Sequence, residues 1–159
     1  MPAPNLTTLL DFEGQIESAA VTFLEAGLGF VVARELGDST LVTPRATVQF
    51  QYGGPPDNLD EKATSETEME YRIISGVVIV QIVTDSSAGQ TISQHSEYRA
   101  KVREMLLRNA TNWNASNLSY YELKYLRPSF TAYATEGDFH ITALSYEAKF
   151  SIKSDAWPS

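Results

Sequence analysis

The sequence predicts a single-domain α+β fold, in which a mainly antiparallel β-sheet is packed by two amphipathic helices. Two segments repeat their apolar residues at three- and four-residue steps, the period of a helix with one buried face. Several others alternate apolar and polar residues, as half-buried strands do. The order is a helix, a run of strands, a second helix and two closing strands, and 159 residues are enough for one core.

The first helix is predicted from about Thr8 to Ala26. Thr8 and Asp11 resemble a capping box at its start, and Gly27 with Gly29 favour a left-handed end. Its apolar stripe consists of Leu9, Phe12, Ile16, Ala19, Ala20, Phe23 and Leu24.

Three strands are predicted between the two helices, over residues 30–36, 46–52 and 69–85. The second alternates strictly and ends at a Gly-Gly-Pro-Pro run, because neither proline can donate to a ladder. The third is the longest and is apolar on both faces at its centre, so we expect it to be central in the sheet. One core should contain Phe12, Ile16, Phe23, Val78, Val80 and Ile82.

The segment 53–70 is predicted to be an exposed, mobile loop. From Asp57 to Glu70 it holds six acidic residues and one lysine, so it carries five of the chain's eight net negative charges. Charge runs of this kind are usually solvated. Calcium binding is the less favoured interpretation, since the ligand spacing of an EF-hand is missing.

After a loop at 85–89, the second helix is predicted to begin with Ser93 as its N-cap. Its buried stripe comprises Tyr98, Val102, Met105 and Leu106. A strand over 121–125 is then expected to stop near Pro128, and a strictly alternating strand covers 142–152.

The chain is therefore predicted to be one domain, 1–159, with its core over about 8–152 and a loose tail at 153–159. Its composition excludes several classes of function. There is no cysteine for a disulfide, a thiol nucleophile or a thiolate zinc site. A net charge of −8 disfavours tight nucleic-acid binding, although an acidic surface could let DNA pass without holding it. No apolar run is long enough to span a membrane.

No arrangement of residues predicts catalysis, a cofactor or a metal. His95 and His140 are the two histidines and are 45 positions apart, whereas a structural metal site needs four ligands. The letters of a triad exist in Ser93, His95 and Asp85, but no G-x-S-x-G motif accompanies them. We therefore expect the protein not to be an enzyme.

Arg99 and Arg103 are the candidate residues for a subunit interface. They are four positions apart on the second helix and share one of its faces. Two interpretations are about equally favoured: a solvated face, or a face that docks on an acidic surface such as the 57–70 segment of a neighbouring copy.

Several stretches of sequence, in this order of elements, resemble the tail terminator (tail completion) proteins of long-tailed bacteriophages and prophages. The similarity covers most of the chain, from the first helix to Ile152. The stretches are residues 45–50 with Gly53-Gly54, residues 71–85, 95–103, 120–123 and 141–150.

The resemblance implies a virion protein that assembles in the host bacterial cytoplasm as a ring, expected to be a hexamer. Such a ring caps the tail tube, ends its polymerisation and offers a surface to the head–tail connector, while DNA passes through unbound. The family has no catalytic residues to transfer. On this basis the ring's lumen or rim is expected to carry Asp57, Asp60, Glu61, Glu66 and Glu68.

Two alternatives stay open. Head-side neck or stopper proteins and tail-tube subunits share related folds with the terminators. From a different class, a small-ligand-binding α+β domain would hold its ligand between sheet and helices, in a pocket lined by Tyr121, Tyr125 and Tyr146.

Overall fold

The computed structural model describes residues 12–34, 42–52, 62–64, 70–108 and 121–153. Within them the chain forms two α-helices and six strands, which confirms the predicted α+β fold. In chain order these are α1 (Phe12–Leu28), β1 (Val31–Arg34), β2 (Arg45–Tyr52), β3 (Lys62–Thr64), β4 (Glu70–Asp85), a 3₁₀ turn (Ser86–Ala88), α2 (Ile92–Arg108), β5 (Tyr121–Glu136) and β6 (Phe139–Lys153).

The strands make one sheet in the order β1-β2-β4-β6-β5. β1 and β2 are parallel, and every other pair is antiparallel. β4 lies between β2 and β6, as its apolar sequence predicts. β3 pairs with the first residues of β4, on the side that β2 occupies further along the same strand.

One face of the sheet packs against both helices. Alternate residues of the strands are buried on this face, as the period of two requires. They form a single cluster with the inner residues of the helices. Phe23 is only partly buried against this cluster, and the side chain of Phe12 lies outside the described part. The cluster includes Ile16, Ala20, Leu24, Val48, Phe50, Val78, Val80, Ile82, Val102, Leu106, Leu144, Tyr146 and Phe150.

The helix ends differ from the prediction in two places. α1 continues through Gly27 and ends at Leu28. The next residue, Gly29, has a left-handed φ of 75° and donates its N–H to the carbonyl of Glu25 at 3.3 Å. Thr91, rather than Ser93, caps α2. Its hydroxyl accepts from the N–H of Gln94 at 3.2 Å, and the Gln94 side chain accepts from the Thr91 N–H at 2.9 Å. A reciprocal capping box satisfies two terminal donors where a lone serine would satisfy one.

The prediction that a strand stops near Pro128 is wrong. β5 runs through Pro128 to Glu136 and pairs with β6 over its whole length. Irregular pairing occurs between Leu123 and Tyr125 and between Pro128 and Phe130. β5 is the last strand in the sheet order, and a proline is tolerated on such an edge and beside a bulge, where its missing N–H breaks no ladder bond.

The acidic segment 53–70 is not entirely a loop. Residues Lys62–Thr64 form β3, which is too short to show an alternating pattern in the sequence. The rest of the segment up to Glu70 lies outside the described residues. The predicted loose tail begins one residue too early, since Lys153 belongs to β6. Residues 154–159 are outside the described part.

Candidate functional site

The two predicted interface arginines lie on α2, next to the hairpin formed by β5 and β6. Arg103 is exposed, and one of its guanidinium nitrogens donates to the hydroxyl of Thr131 on β5 at 3.3 Å. Arg99 is half-buried and donates to Ser96 at 3.4 Å. The candidate lumen or rim residues lie outside the described residues and stay predictions: Asp57, Asp60, Glu61, Glu66 and Glu68.

Beneath these arginines, His95 forms a buried polar bridge between α2 and two strands. Its ring Nδ1 is 2.8 Å from the hydroxyl of Thr84 on β4, and its Nε2 is 2.7 Å from the hydroxyl of Thr142 on β6. All three residues are at most 1% exposed. Burial lowers the pKa of His95 below 6.5, and the charges of His140 and Arg99 lower it further.

His140 lies at the outer edge of the same cluster. Its Nδ1 is 2.6 Å from the hydroxyl of Tyr133, and the two rings are stacked. The ring centres of His95 and His140 are 5.9 Å apart, although 45 positions separate them in sequence. The hairpin turn at Gly137, with φ of 60°, returns the chain so that β6 carries His140 beside Tyr133 on β5.

The two histidines do not form the triad that the sequence offers. Both ring nitrogens of His95 are bonded to threonines, so the triad of Ser93, His95 and Asp85 is not formed. Asp85 instead accepts from Ser87 in the turn that follows β4. Among the described residues, no group of three His, Cys, Asp or Glu side chains could hold a metal ion.

Arg99 and Arg103 bring positive charge close to this cluster. The pKa of Tyr146 is raised by burial, and the nearby positive charge of Arg103 opposes that rise. Within the described part of the chain, neither Arg99 nor Arg103 forms an ion pair with a carboxylate. Whether the two arginines form a subunit interface stays a prediction.

The pocket of three tyrosines is not formed. Tyr146 is buried on the sheet face that packs against the helices. Tyr125 lies on the opposite face, where the charged groups of Arg127 and Lys149 are 5.7 and 5.5 Å from its ring centre. The side chain of Tyr121 is outside the described part. A ligand between sheet and helices therefore could not contact both Tyr125 and Tyr146.

Glu17 is a buried charge that the sequence analysis missed. It is 3% exposed on α1, and its carboxylate accepts from Arg34 Nε and from the backbone N–H of Phe50, at 2.8 and 2.9 Å. The parallel pairing of β1 with β2 ends at Val48, two residues before Phe50. Glu17 therefore accepts the hydrogen bond from the Phe50 N–H in place of β1. One signal was available: Glu17 adjoins Ile16 and is three positions from Ala20, within the apolar stripe.

The helices of the described residues are too short or too polar to cross a membrane. No protein-family model matches the chain, and no curated protein matches its sequence. Among solved structures, the chain is similar to a chain from the "Virion of native gene transfer agent (GTA) particle". The TM-score is 0.50 at 16% sequence identity, and the similarity covers 87% of this chain and 92% of that one. The two chains share a fold.

Proposed function

We propose that this protein is a structural component of a phage-like virion, and specifically a tail terminator that forms a ring on the end of the tail tube. Two lines of support are independent. The sequence resembles the terminator family over most of its length, and a chain of similar fold, matched over nearly all of both chains, comes from a virion particle. A ring of six copies is the assembly that the resemblance implies.

The observation that carries the proposal is the exposed half of β5. Every residue from Arg127 to Glu136 is exposed, although the segment is a strand paired on one side with β6. Phe130 is 65% exposed and Tyr133 is 46% exposed. A long edge strand that exposes large apolar side chains such as Phe130 and Tyr133 can pair with other chains, and a closed ring would cover it in every copy.

No catalytic role is part of the proposal. The partners are further copies of the chain, the tail tube protein and the head–tail connector. DNA would pass through the ring without specific binding, because phosphate contacts require a density of cations that a chain of net charge −8 does not supply overall. The acidic residues of the 57–70 segment would then lie at the lumen or rim, or contact a neighbouring copy.

Removal of the protein from assembling particles tests the proposal. Without a terminator, tail tubes should grow beyond their normal length and fail to join heads. The wild-type protein, mixed with its tail tube protein, should give rings capping the tubes in negative-stain images. Tubes of normal length in its absence, or a protein that stays monomeric beside tubes, would contradict the proposal. Location on the head side instead would identify a neck protein.

Phe130→Asp gives a sharper test of the edge. The substitution puts a charge on an exposed residue, so the fold should keep its thermal stability, whereas ring formation should be lost. Glu136→Gln, on the same strand, is the control and should assemble normally. Rings formed by the Phe130→Asp protein would show that the β5 edge is not the interface.

A further inference from the structure

The outer edge of β5 is open to pairing with another strand. From Arg127 to Glu136 every residue is exposed, and among the described strands β5 pairs only with β6. Residues 129–135 read Ser-Phe-Thr-Ala-Tyr-Ala-Thr, with no charge and no proline to block the edge. An edge of this kind accepts a further strand through backbone hydrogen bonds. The exposed half of β5 is therefore a surface for strand addition.

Among the described strands, only β5 itself is long enough to cover this edge. β2, β4 and β6 already have a neighbour on each side. The opposite edge of the sheet is β1, which has four residues, and β3 has three. The exposed stretch of β5 runs over residues 127–136. Within the described part of the chain, the partner that matches it in length is the β5 strand of a second copy.

The side chains of this stretch divide between the two faces of the sheet. Thr142, Leu144 and Tyr146 on β6 are buried beneath the helices, so β5 residues that pair with the alternate positions of β6 lie on the outer face, away from the helices. Ser129 has no partner on β6, and this irregularity brings Arg127 and Phe130 to the same face. The outer-face residues are Arg127, Phe130, Ala132, Ala134 and Glu136.

An antiparallel pair of these strands is self-complementary when it is centred on Ala132. A twofold axis then passes between the two Ala132 residues, and each Phe130 lies opposite Ala134 of the other copy, a large side chain opposite a small one. Beyond the extra residue Ser129, each Arg127 lies opposite Glu136. The Cβ atoms of directly opposite residues are about 5 Å apart, within reach of a charge pair.

The charges select this register. No ion pair among the described residues includes Glu136. Arg127 bonds Glu147 of its own chain at 2.7 Å, but a guanidinium group has several further N–H donors and can bond a second carboxylate. A centre on Thr131 or Tyr133 instead would move Arg127 away from Glu136. The centre on Ala132 makes the charge pair twice, once on each side of the axis.

We propose that the protein, before it assembles, is a symmetric dimer held by antiparallel pairing of two β5 strands, with Ala132 at the twofold axis and Arg127 opposite Glu136. The dimer goes beyond the proposed ring and limits when the ring can form. A twofold pair uses the same edge in both copies, so neither copy can offer that edge to a further neighbour. The dimer must therefore separate before the β5 edge enters a ring.

Single cysteines locate the axis, because the chain contains no cysteine of its own. The thiols of an Ala132→Cys protein would face each other, so oxidation with copper phenanthroline should give a covalent dimer. Ala134→Cys is the matched control. Its two copies would be four residues apart along the strands, about 13 Å, which is too far for a disulfide, and it should cross-link at least about tenfold more slowly.

Charge exchange tests the register in solution. Sedimentation equilibrium should show a dimer of the wild type. Arg127→Glu and Glu136→Arg should each weaken it at least about tenfold, since each places like charges opposite one another twice. The protein with both substitutions should recover the wild-type affinity. Lys149→Glu, the same charge change as Arg127→Glu at an exposed position of β6, should weaken the dimer less than about threefold.

Three results would overturn the inference: a wild type that is monomeric throughout the concentration series, cross-linking through Ala134→Cys that is as fast as through Ala132→Cys, or a double charge variant no tighter than the single ones. Thermal melting of each variant provides the control for folding, because the substituted side chains are exposed. The cysteine variants test the register independently of the charge variants.

Tail tubes separate this inference from the proposed function. The oxidised Ala132→Cys dimer should form no rings on tubes, and reduction should restore them. Rings formed by the oxidised dimer would overturn the inference that the two assemblies use one edge. If the wild type is monomeric and caps tubes, the inference is wrong and the terminator function stands. If it dimerises in this register and never caps tubes, the terminator function is wrong and the dimer stands.

Discussion

The two edge strands of the sheet, β1 and β5, differ in length, in exposure and in the partners of the charged residues beside them. At the β1 end, a four-residue edge strand stops early, and the buried carboxylate of Glu17 bonds Arg34 and the N–H that the strand leaves free. At the β5 end, a 16-residue edge strand is exposed from Arg127 to Glu136, and Arg103 beside it donates to a hydroxyl. The first end is closed within the monomer, whereas the second leaves a long stretch of strand exposed.

The largest effect should come from the closed end. Glu17→Ala leaves the buried N–H of Phe50 without an acceptor and Arg34 without its partner. We expect a loss of about 3–4 kcal/mol in the free energy of unfolding, measured by urea denaturation. Glu25→Ala, at an exposed position of the same helix, is the control. A loss for Glu17→Ala no larger than that of the control would mean that the carboxylate does not close this edge.

Both ends should nevertheless share one core. Leu24 on α1 and Leu106 on α2 are both fully buried in the same cluster. Each change to alanine should cost about 3 kcal/mol. Phe23→Ala should cost less than the 3–5 kcal/mol typical of a fully buried phenylalanine, because its side chain is only partly buried. If Leu106→Ala were nearly neutral, the α2 half would not belong to the core.

Acidification should destabilise the α2 half through His95. Its pKa is below 6.5 in the folded chain, so the unfolded chain binds more protons in the window below that value. The contribution of neutral His95 to the free energy of unfolding is therefore complete above pH 6.5. It falls as the pH decreases towards the folded pKa, by at most about 1.4 kcal/mol per pH unit. Urea denaturation across this window should show the fall in wild type and in His140→Gln, and a smaller one in His95→Gln. Stability that increases on acidification would contradict the assignment.

The smallest effect is expected at an ion pair on the other face of the sheet. Arg127 and Glu147 are 2.7 Å apart, but their side chains are 62% and 45% exposed. Water screens such a pair, so Arg127→Ala should change stability by no more than about 0.5 kcal/mol. A larger loss, persisting at high salt, would show that Arg127 stabilises the fold through packing on Tyr125.

Most of the fold could be predicted from segments in which apolar residues recur with a regular period. The alternation in β2 and β6 and the apolar stripes of both helices place the core, because burial follows directly from period. Pro128 misled the prediction, since whether a proline ends a strand depends on whether that strand lies at an edge, which is a property of the whole sheet.

The candidate site was less predictable because its contacts join distant parts of the chain. Arg99 and Arg103 were found from their spacing on one helix. His95 was judged by its distance from His140 in sequence, whereas the hairpin and α2 bring the two rings together. The role of Glu17 was not predicted, because a single charged residue in an apolar stripe does not indicate where the neighbouring strand ends.

The pairing of β6 also has a consequence for how the chain folds. β5 and β6 meet across a tight turn, where Glu136 faces Phe139, so this hairpin can close from local contacts within microseconds. The pairing of β6 with β4 instead joins Asp85 to Phe139, with α2 in the intervening loop, and carries a larger loop-closure cost. During synthesis, β4 must wait for its second partner until β6 has left the ribosome. The central strand of the finished sheet is thus among the last to be fully paired, and a nascent chain paused before β6 should require chaperone protection.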